Sequence, residues 1–388
     1  MRKELWKEDG FVQLFFFRIL RGIAAGTLVV AFPYFVLASF PHGELLLGIF
    51  YAAGTIVSAA AGFAVGAWFD RRPTKILTLA VISLLTLGLL VLAVLPHNFA
   101  IVLMASALAG VAATGSMAGG GSGGIAAPIQ GALVAHLIPD EQRTETYAFL
   151  TFIAGFGAAA GVGLSGVLAT EPLFLLGVAA SFLSLIPIVL LPQKAFLPMP
   201  VSIGRESKAA LRNFSITGIL NGFSQGLAIP FLIPFLILRF HAPVAPLSFA
   251  ASASSIIGSF ALLTAPWFDR HFGLVKSMII TRGASIAALL GIVFAPSFPL
   301  ALGLFIVFPS LRVAALPVQQ RAITNIAGEG NTGTVLGANQ GTRLISAASG
   351  SALAGLLFDH ALVLFPFLGY AVIAGSNLVL YRKFFGKR

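Results

Sequence analysis

Five arginines stand inside apolar runs of this chain: Arg18, Arg21, Arg282, Arg312 and Arg343. A guanidinium stays charged at physiological pH and offers a rigid fork of donors that fits carboxylate, sulfonate or phosphate. The acidic residues are distributed in the opposite way. All 13 Asp and Glu fall at the ends of apolar runs or in the polar stretches between them. Coupling through a proton-loading carboxyl group at mid-span is therefore not expected, whereas recognition of an anion is. At about 1.5 Å per helical residue, Arg18 and Arg282 lie within snorkelling distance of a helix end, and the other three lie deeper. Asn221, Gln225, Gln130 and Gln319 also stand inside apolar runs. With Arg21, Arg312 and Arg343 they form the candidate substrate-binding set, although hydrogen bonds between helices would use such residues equally well.

Other chemistries have nothing to stand on. Cysteine is absent, which removes disulfides, thiolate metal sites and thiol nucleophiles. The chain contains no Gly-x-x-x-x-Gly-Lys-Ser/Thr, His-Glu-x-x-His or Gly-x-Ser-x-Gly pattern, so no enzyme activity, cofactor or metal is expected. His42, His97, His241 and His360 fall between apolar runs without ligand spacing and read as interfacial polar anchors.

The elements that must position these residues follow from composition. Of 388 residues 58% are hydrophobic and 10% charged, too apolar for a water-soluble domain. Twelve candidate membrane helices emerge between Gly, Pro and charge punctuation. They run near 12–38, 45–69, 75–95, 99–137, 146–168, 173–191, 213–238, 247–268, 275–294, 298–320, 333–356 and 362–381. Alternating the connections assigns 18 Lys and Arg to the side that holds both termini and only Arg239 to the other. That asymmetry predicts cytoplasmic termini, and it explains the net charge of +11 without nucleic acid. In the fourth run, Gly115 to Gly124 is poor helix-forming sequence and predicts a break or kink. Pro230, Pro234 and Pro309 predict kinks in the seventh and tenth.

The chain repeats itself. Trp68-Phe69-Asp70-Arg71 returns as Trp267-Phe268-Asp269-Arg270, Pro128-Ile129-Gln130 as Pro317-Val318-Gln319, and Gly22 and Gly26 as Gly222 and Gly226. Each match falls at the same point of a six-helix half. The segment Gly66-Ala67-Trp68-Phe69-Asp70-Arg71-Arg72-Pro73-Thr74-Lys75 resembles the loop signature between the second and third helices of the major facilitator superfamily. Pro73 stands where that signature has Gly. The resemblance implies a conformational latch at Gly66, Asp70, Arg71 and Lys75, with Asp269 and Arg270 as the second copy. It also implies that helices 1, 4, 7 and 10 line a central cavity, which places Arg21 and Arg312 on lining helices.

The sequence thus predicts an all-α polytopic membrane protein with twelve transmembrane helices in two pseudo-symmetric six-helix bundles. The bundles are residues 1–192 and 213–388, joined by a cytoplasmic linker at 193–212. The expected function is secondary transport of a small organic solute, anionic by the arginine argument, by alternating access in a plasma (inner) membrane. Its expected partners are that solute and the lipid bilayer, with no nucleic acid, and the chain is expected to act as a monomer. Efflux of lipophilic or amphipathic compounds past Phe-rich walls is the alternative, and a non-transporting receptor on the same fold is a remote one.

Overall fold

The computed structural model describes residues 6, 8–71, 74–95, 97–110, 127–196, 208–314 and 332–385. Among them the first six passes comprise α1 (Phe11–Ser39), α2 (Gly43–Arg71), α3 (Lys75–Val94), α4 (Phe99–Ala109) with α5 (Ala127–Leu137), α6 (Asp140–Leu164), and α7 (Thr170–Leu183) with α8 (Leu185–Val189). The second six comprise α9 (Lys208–Ala228) with α10 (Leu232–Phe240), both arms of α11 (Val244–Val293), α12 (Phe298–Val313), α13 (Thr332–Asp359) and α14 (Phe365–Phe385). Eight of the described helical segments are long and apolar enough to cross a membrane, and α4 and α12 are shorter apolar helices.

The sequence dictates where these helices start and stop. Thr74 caps α3 by accepting from the Leu77 amide, and Asn98 caps α4 by accepting from Ala100 and Ile101. In lipid such caps matter, because an unpaired terminal amide has no water to turn to. Gly110 ends α4 in a left-handed conformation, φ 62°. Helix α4 therefore ends before the glycine-rich run, which lies outside the described residues, and α5 starts at Ala127. Proline has no amide hydrogen and removes one bond from a helical ladder, a loss that α1 and α12 absorb at Pro33 and Pro309 without ending. At Pro230 the seventh pass divides into α9 and α10, and Pro234 sits in the first turn of α10, where its missing donor costs nothing. Within α11 the backbone leaves helical geometry at Gly273, φ 70° and ψ 169°, so the element is two passes joined at a bend.

Packing repeats between the halves. A Cβ at Gly22 or Gly26 would lie 2.4 or 2.3 Å from the carbonyl oxygens of Ala154 and Ala158, so α1 rests directly on the backbone of α6. A Cβ at Gly222 or Gly226 would lie 2.0 Å from the carbonyl oxygens of Arg343 and Ala347, and α9 rests on α13 in the same way. The glycine pairs matched in the sequence are thus the contact points of equivalent helix pairs.

The halves meet mainly through α2 against α13 and α6 against α11. At the face away from the chain termini they are shut together. The Tyr34 hydroxyl donates to the Ala242 carbonyl, the Tyr51 ring packs edge-on to Phe231 at 6.1 Å, and Ser165 and Ser248 share a hydrogen bond of 2.8 Å. His42 Nδ1 and Asp359 Oδ1 are 2.9 Å apart across the junction. The backbones of Gly48 and Gly355 touch close by. One apolar core built around Phe32, Phe50, Phe231, Phe235, Phe305 and Phe358 runs through both halves here. A second core, around Phe11, Phe17, Ile82, Leu133 and Phe196, belongs to the first half alone. Phe196 lies in a short 3-10 turn, Gln193–Phe196, at the start of the expected linker.

Candidate solute site

Arg21 is 4% exposed on α1, at the depth where the sequence puts it. Its Nη1 donates to the Ile82 carbonyl on α3 at 3.0 Å, and its Nε has no hydrogen-bond partner among the described residues. Arg18 lies one turn away, close enough for the two like charges to repel. Since α3 packs chiefly on helices of its own half, the Arg21 guanidinium is turned into the first bundle.

In the second half the polar residues converge. Arg312 on α12 donates from Nη1 to Gln225 Oε1 on α9 at 3.1 Å. One turn along α9, Asn221 Oδ1 accepts from Arg282 Nη1 at 3.4 Å. Arg282, on the second arm of α11, also stacks over the Tyr381 ring of α14 at 5.5 Å. Asn221, Gln225, Arg282 and Arg312 line a cavity with Tyr370, Ile286 and Ala374, which is roomy enough for roughly one water molecule. Arg343 on α13 is half-buried and lies within repulsive range of Arg312 and Arg282.

The structure thus joins four residues that the sequence leaves as separate candidates or sets aside: Asn221, Gln225, Arg312 and Arg282. Arg282 is a correction. Instead of snorkelling to a helix end, it reaches sideways to Asn221, because an amide acceptor and an aromatic face lie nearer than water. Tyr370 and Tyr381 were missed as well. Their signal was the spacing Tyr370, Ala374, Asn377, Tyr381, which puts four residues on one stripe of α14. Asn377, 1% exposed, donates from Nδ2 to the Thr217 carbonyl at 3.3 Å and extends the polar seam between α14 and α9.

Gln130 is 3% exposed on α5, in the first half and apart from this cavity. Gln319 lies outside the described residues, as do the side chains of Gly66, Asp70, Arg71, Asp269 and Arg270. Lys75 is described. Its Nζ donates to the carbonyls of Val189 and Leu191 at 2.8 and 3.0 Å and lies 5.6 Å from the Phe196 ring centre. An ammonium on carbonyls at and just past the end of α8 satisfies acceptors that a helix end leaves open. His42 is the other surprise: it bridges the halves through Asp359 rather than serving only as an interfacial anchor.

Known proteins share this architecture. The Major Facilitator Superfamily profile matches residues 14–214. Among solved structures, the chain is similar to the human organic anion transporter MFSD10, with 15% identity and TM-score 0.65 over 95% of this chain and 98% of that one. It is similar to the nucleoside transporter NupG, with 14% identity and TM-score 0.70 over 97% and 99%. It is also similar to the xylose transporter XylE from E. coli, with 13% identity and TM-score 0.73 over 97% and 95%. At such identities the likeness is one of fold. No curated protein matches the chain.

Proposed function

The chain belongs to the Major Facilitator Superfamily, and on that premise we propose that it is a secondary transporter of a small organic anion, working by alternating access with both termini in the cytoplasm. The observation that carries this reading is the grouping of the membrane-embedded guanidiniums, Arg18 with Arg21 in one half and Arg282 with Arg312 and Arg343 in the other. Like charges gathered within each bundle raise the local concentration of anions, and a charge kept at such depth in a membrane is characteristically functional. Neighbouring folds carry an organic anion, a nucleoside and a sugar, so the cargo must be argued from the side chains and not from the fold.

In this reading Arg21 and Arg312, on helices 1 and 10, give up neutral acceptors for a charged one. The Ile82 carbonyl and the Gln225 amide make ordinary hydrogen bonds, and a carboxylate or phosphate makes stronger, bidentate ones. Arg343, Asn221, Gln225, Gln130 and Gln319 complete the set. Residues 1–192 and 213–388 are the moving bundles, and 193–212 is the linker. The shut far face leaves loading to the cytoplasmic side, where Gly66, Asp70, Arg71 and Lys75, with Asp269 and Arg270, act as the latch.

The test is counterflow of labelled solutes in proteoliposomes. Organic anions are expected to exchange, and Arg312→Gln or Arg21→Gln is expected to lower that exchange about 10-fold or more, the loss of a charge-assisted contact worth about 1.5–3 kcal/mol. The inward turn of Arg21 toward Ile82 favours a second reading, in which the arginines brace the bundles and lipophilic compounds pass along Phe-lined walls. Exchange of lipophilic cations, indifferent to both substitutions, would establish that reading and remove the first.

A further inference from the structure

The far face is held shut in part by a bond whose strength depends on a proton. His42, in the turn between α1 and α2, places Nδ1 2.9 Å from Oδ1 of Asp359 at the end of α13, so the pair joins one half to the other. Both partners are presented by fixed backbone. His42 has φ 55°, a left-handed conformation that histidine adopts more readily than most residues, and its carbonyl accepts from the Leu46 amide at 3.1 Å. A Cβ at the neighbouring Gly43 would lie 2.9 Å from the Leu37 Cα, so the turn is folded tightly back onto α1. Beyond Asp359, Ala361 at φ 60° closes the helix, its amide donating to the Phe358 carbonyl and that of Leu362 to the Leu357 carbonyl. One turn before Asp359, Gly355 touches Gly48, and this bare backbone contact brings the two side chains within reach.

Asp359 stands where a cation is wanted. Its side chain is only 15% exposed, and it is the last residue of α13, where the helix's own carbonyls already concentrate negative charge. Neither His42 nor Asp359 makes another hydrogen bond or ion pair with a described residue. The other charged or titratable groups of that face are Glu44 in the first turn of α2, His360 with its Nδ1 2.9 Å from the Leu356 carbonyl oxygen, and Arg239, His241, His97 and Glu171 at neighbouring helix ends. An exposed imidazole exchanges protons with the solution and changes charge between about pH 5 and 8. Neutral, it can still donate from Nδ1; protonated, it makes a charge-assisted bond to the carboxylate, roughly twice as strong. The pair exists only while the halves are together, so protonation and closure favour each other. The advantage of the shut face is present on the acid side of the imidazole range and is lost as the pH rises through it. We propose that His42 and Asp359 form a pH-sensitive clasp, which tightens when His42 takes up a proton and loosens when it gives one up. No proton crosses the membrane in this device. Its direction rests on the orientation proposed above: the clasp meets the solution on the non-cytoplasmic side, and acid there holds the molecule open to the cytoplasm.

The experiment uses the full-length protein in a neutral detergent with Ser351→Cys as the single thiol, on the face of α13 that meets Gly48. Labelling by a methanethiosulfonate reagent is read at about pH 5.5 and about pH 8, with and without His42→Ala, and the ratio of the two rates at each pH cancels the ionisation of the thiol itself. His42→Ala is expected to speed labelling at the acid pH by at least about twice the factor seen at the alkaline one. In an Asp359→Asn background the ratio is expected to be the same at both, whereas Glu44→Gln is expected to leave its pH dependence in place. A ratio that does not change with pH overturns the proposal. So does one whose pH dependence survives Asp359→Asn, which would assign the proton to another group of that face. Should Ser351→Cys not fold, the difference in Tm between the unaltered protein and His42→Ala takes the place of the ratio. It is expected to widen by roughly 1–2 °C from the alkaline to the acid pH, and a constant difference is equally decisive. Because neither readout needs a solute, failure of organic-anion counterflow leaves the clasp standing, and successful counterflow beside a constant ratio removes the clasp alone.

Discussion

The two halves make the same contact with opposite chemistry. At the junction of the first and third passes, Arg21 on α1 reaches Ile82 on α3. At the equivalent junction of the second half, Asn221 stands in place of Arg21, at an offset of 200, and the cation is Arg282, next to the counterpart of Ile82. The bond survives the duplication, but the helix that carries the charge has changed. One turn along, Ala25 in the first half is fully buried, whereas its counterpart Gln225 meets Arg312. A close-packed junction in one bundle has therefore become a polar cavity in the other. Backbone packing was copied faithfully and the polar content diverged, as expected when glycine contacts fix the architecture and side chains remain open to change.

Substitutions can break this comparison or sharpen it. The largest effects belong to the shared backbone contacts. Gly222→Leu and Gly22→Leu each drive a side chain into a carbonyl of the facing helix, and each is expected to lose about 3 kcal/mol or more of stability, or to prevent folding, with similar losses in the two halves. Detergent-phase melting and folded yield check this, and a large loss in one half only would mean that the repeat does not extend to packing. Next come the cations. Arg282→Leu strands the Asn221 oxygen in a cavity and is expected to cost about 1–3 kcal/mol. Arg21→Leu removes a buried charge from a carbonyl that sits within a helix, and is expected to be close to neutral, within about 1 kcal/mol. Equal costs at both sites would erase the distinction drawn here. The smallest effect is at the far face, where His42→Ala removes a largely exposed bond worth about 0.4–1 kcal/mol. Because the chain has no cysteine, a lone Ser351→Cys can report on the junction, and its thiol labelling is expected to quicken about 2- to 5-fold in the His42→Ala background.

Much of the architecture was legible in the chain. Hydropathy marked the passes and the recurrence at offsets near 200 marked the halves, whereas the paired glycines aligned the first and seventh passes without saying which helices they touch. Azimuth was not legible. A helix apolar all round carries no moment to say which way it faces, so depth along a pass could be counted but the direction of Arg21 or Arg282 could not. The bond between His42 and Asp359 was hidden for a different reason. Its partners stand 317 residues apart, and only the closure of the two halves brings them together. The fourth pass shows how a single residue can override a pattern: the glycine-rich run drew attention to 115–124, yet the helix stops at Gly110, whose left-handed backbone already completes the end.

One consequence follows from the place where α2 and α13 touch. Gly48 meets Gly355 with no side chain between them. At that one point the parting moves no side chain, whereas the Tyr51 and Phe231 rings beside it must come apart, so the seam there resembles a bare hinge plate set next to a latch of rings. A methyl group at either position would act as a wedge, holding the door ajar even at rest.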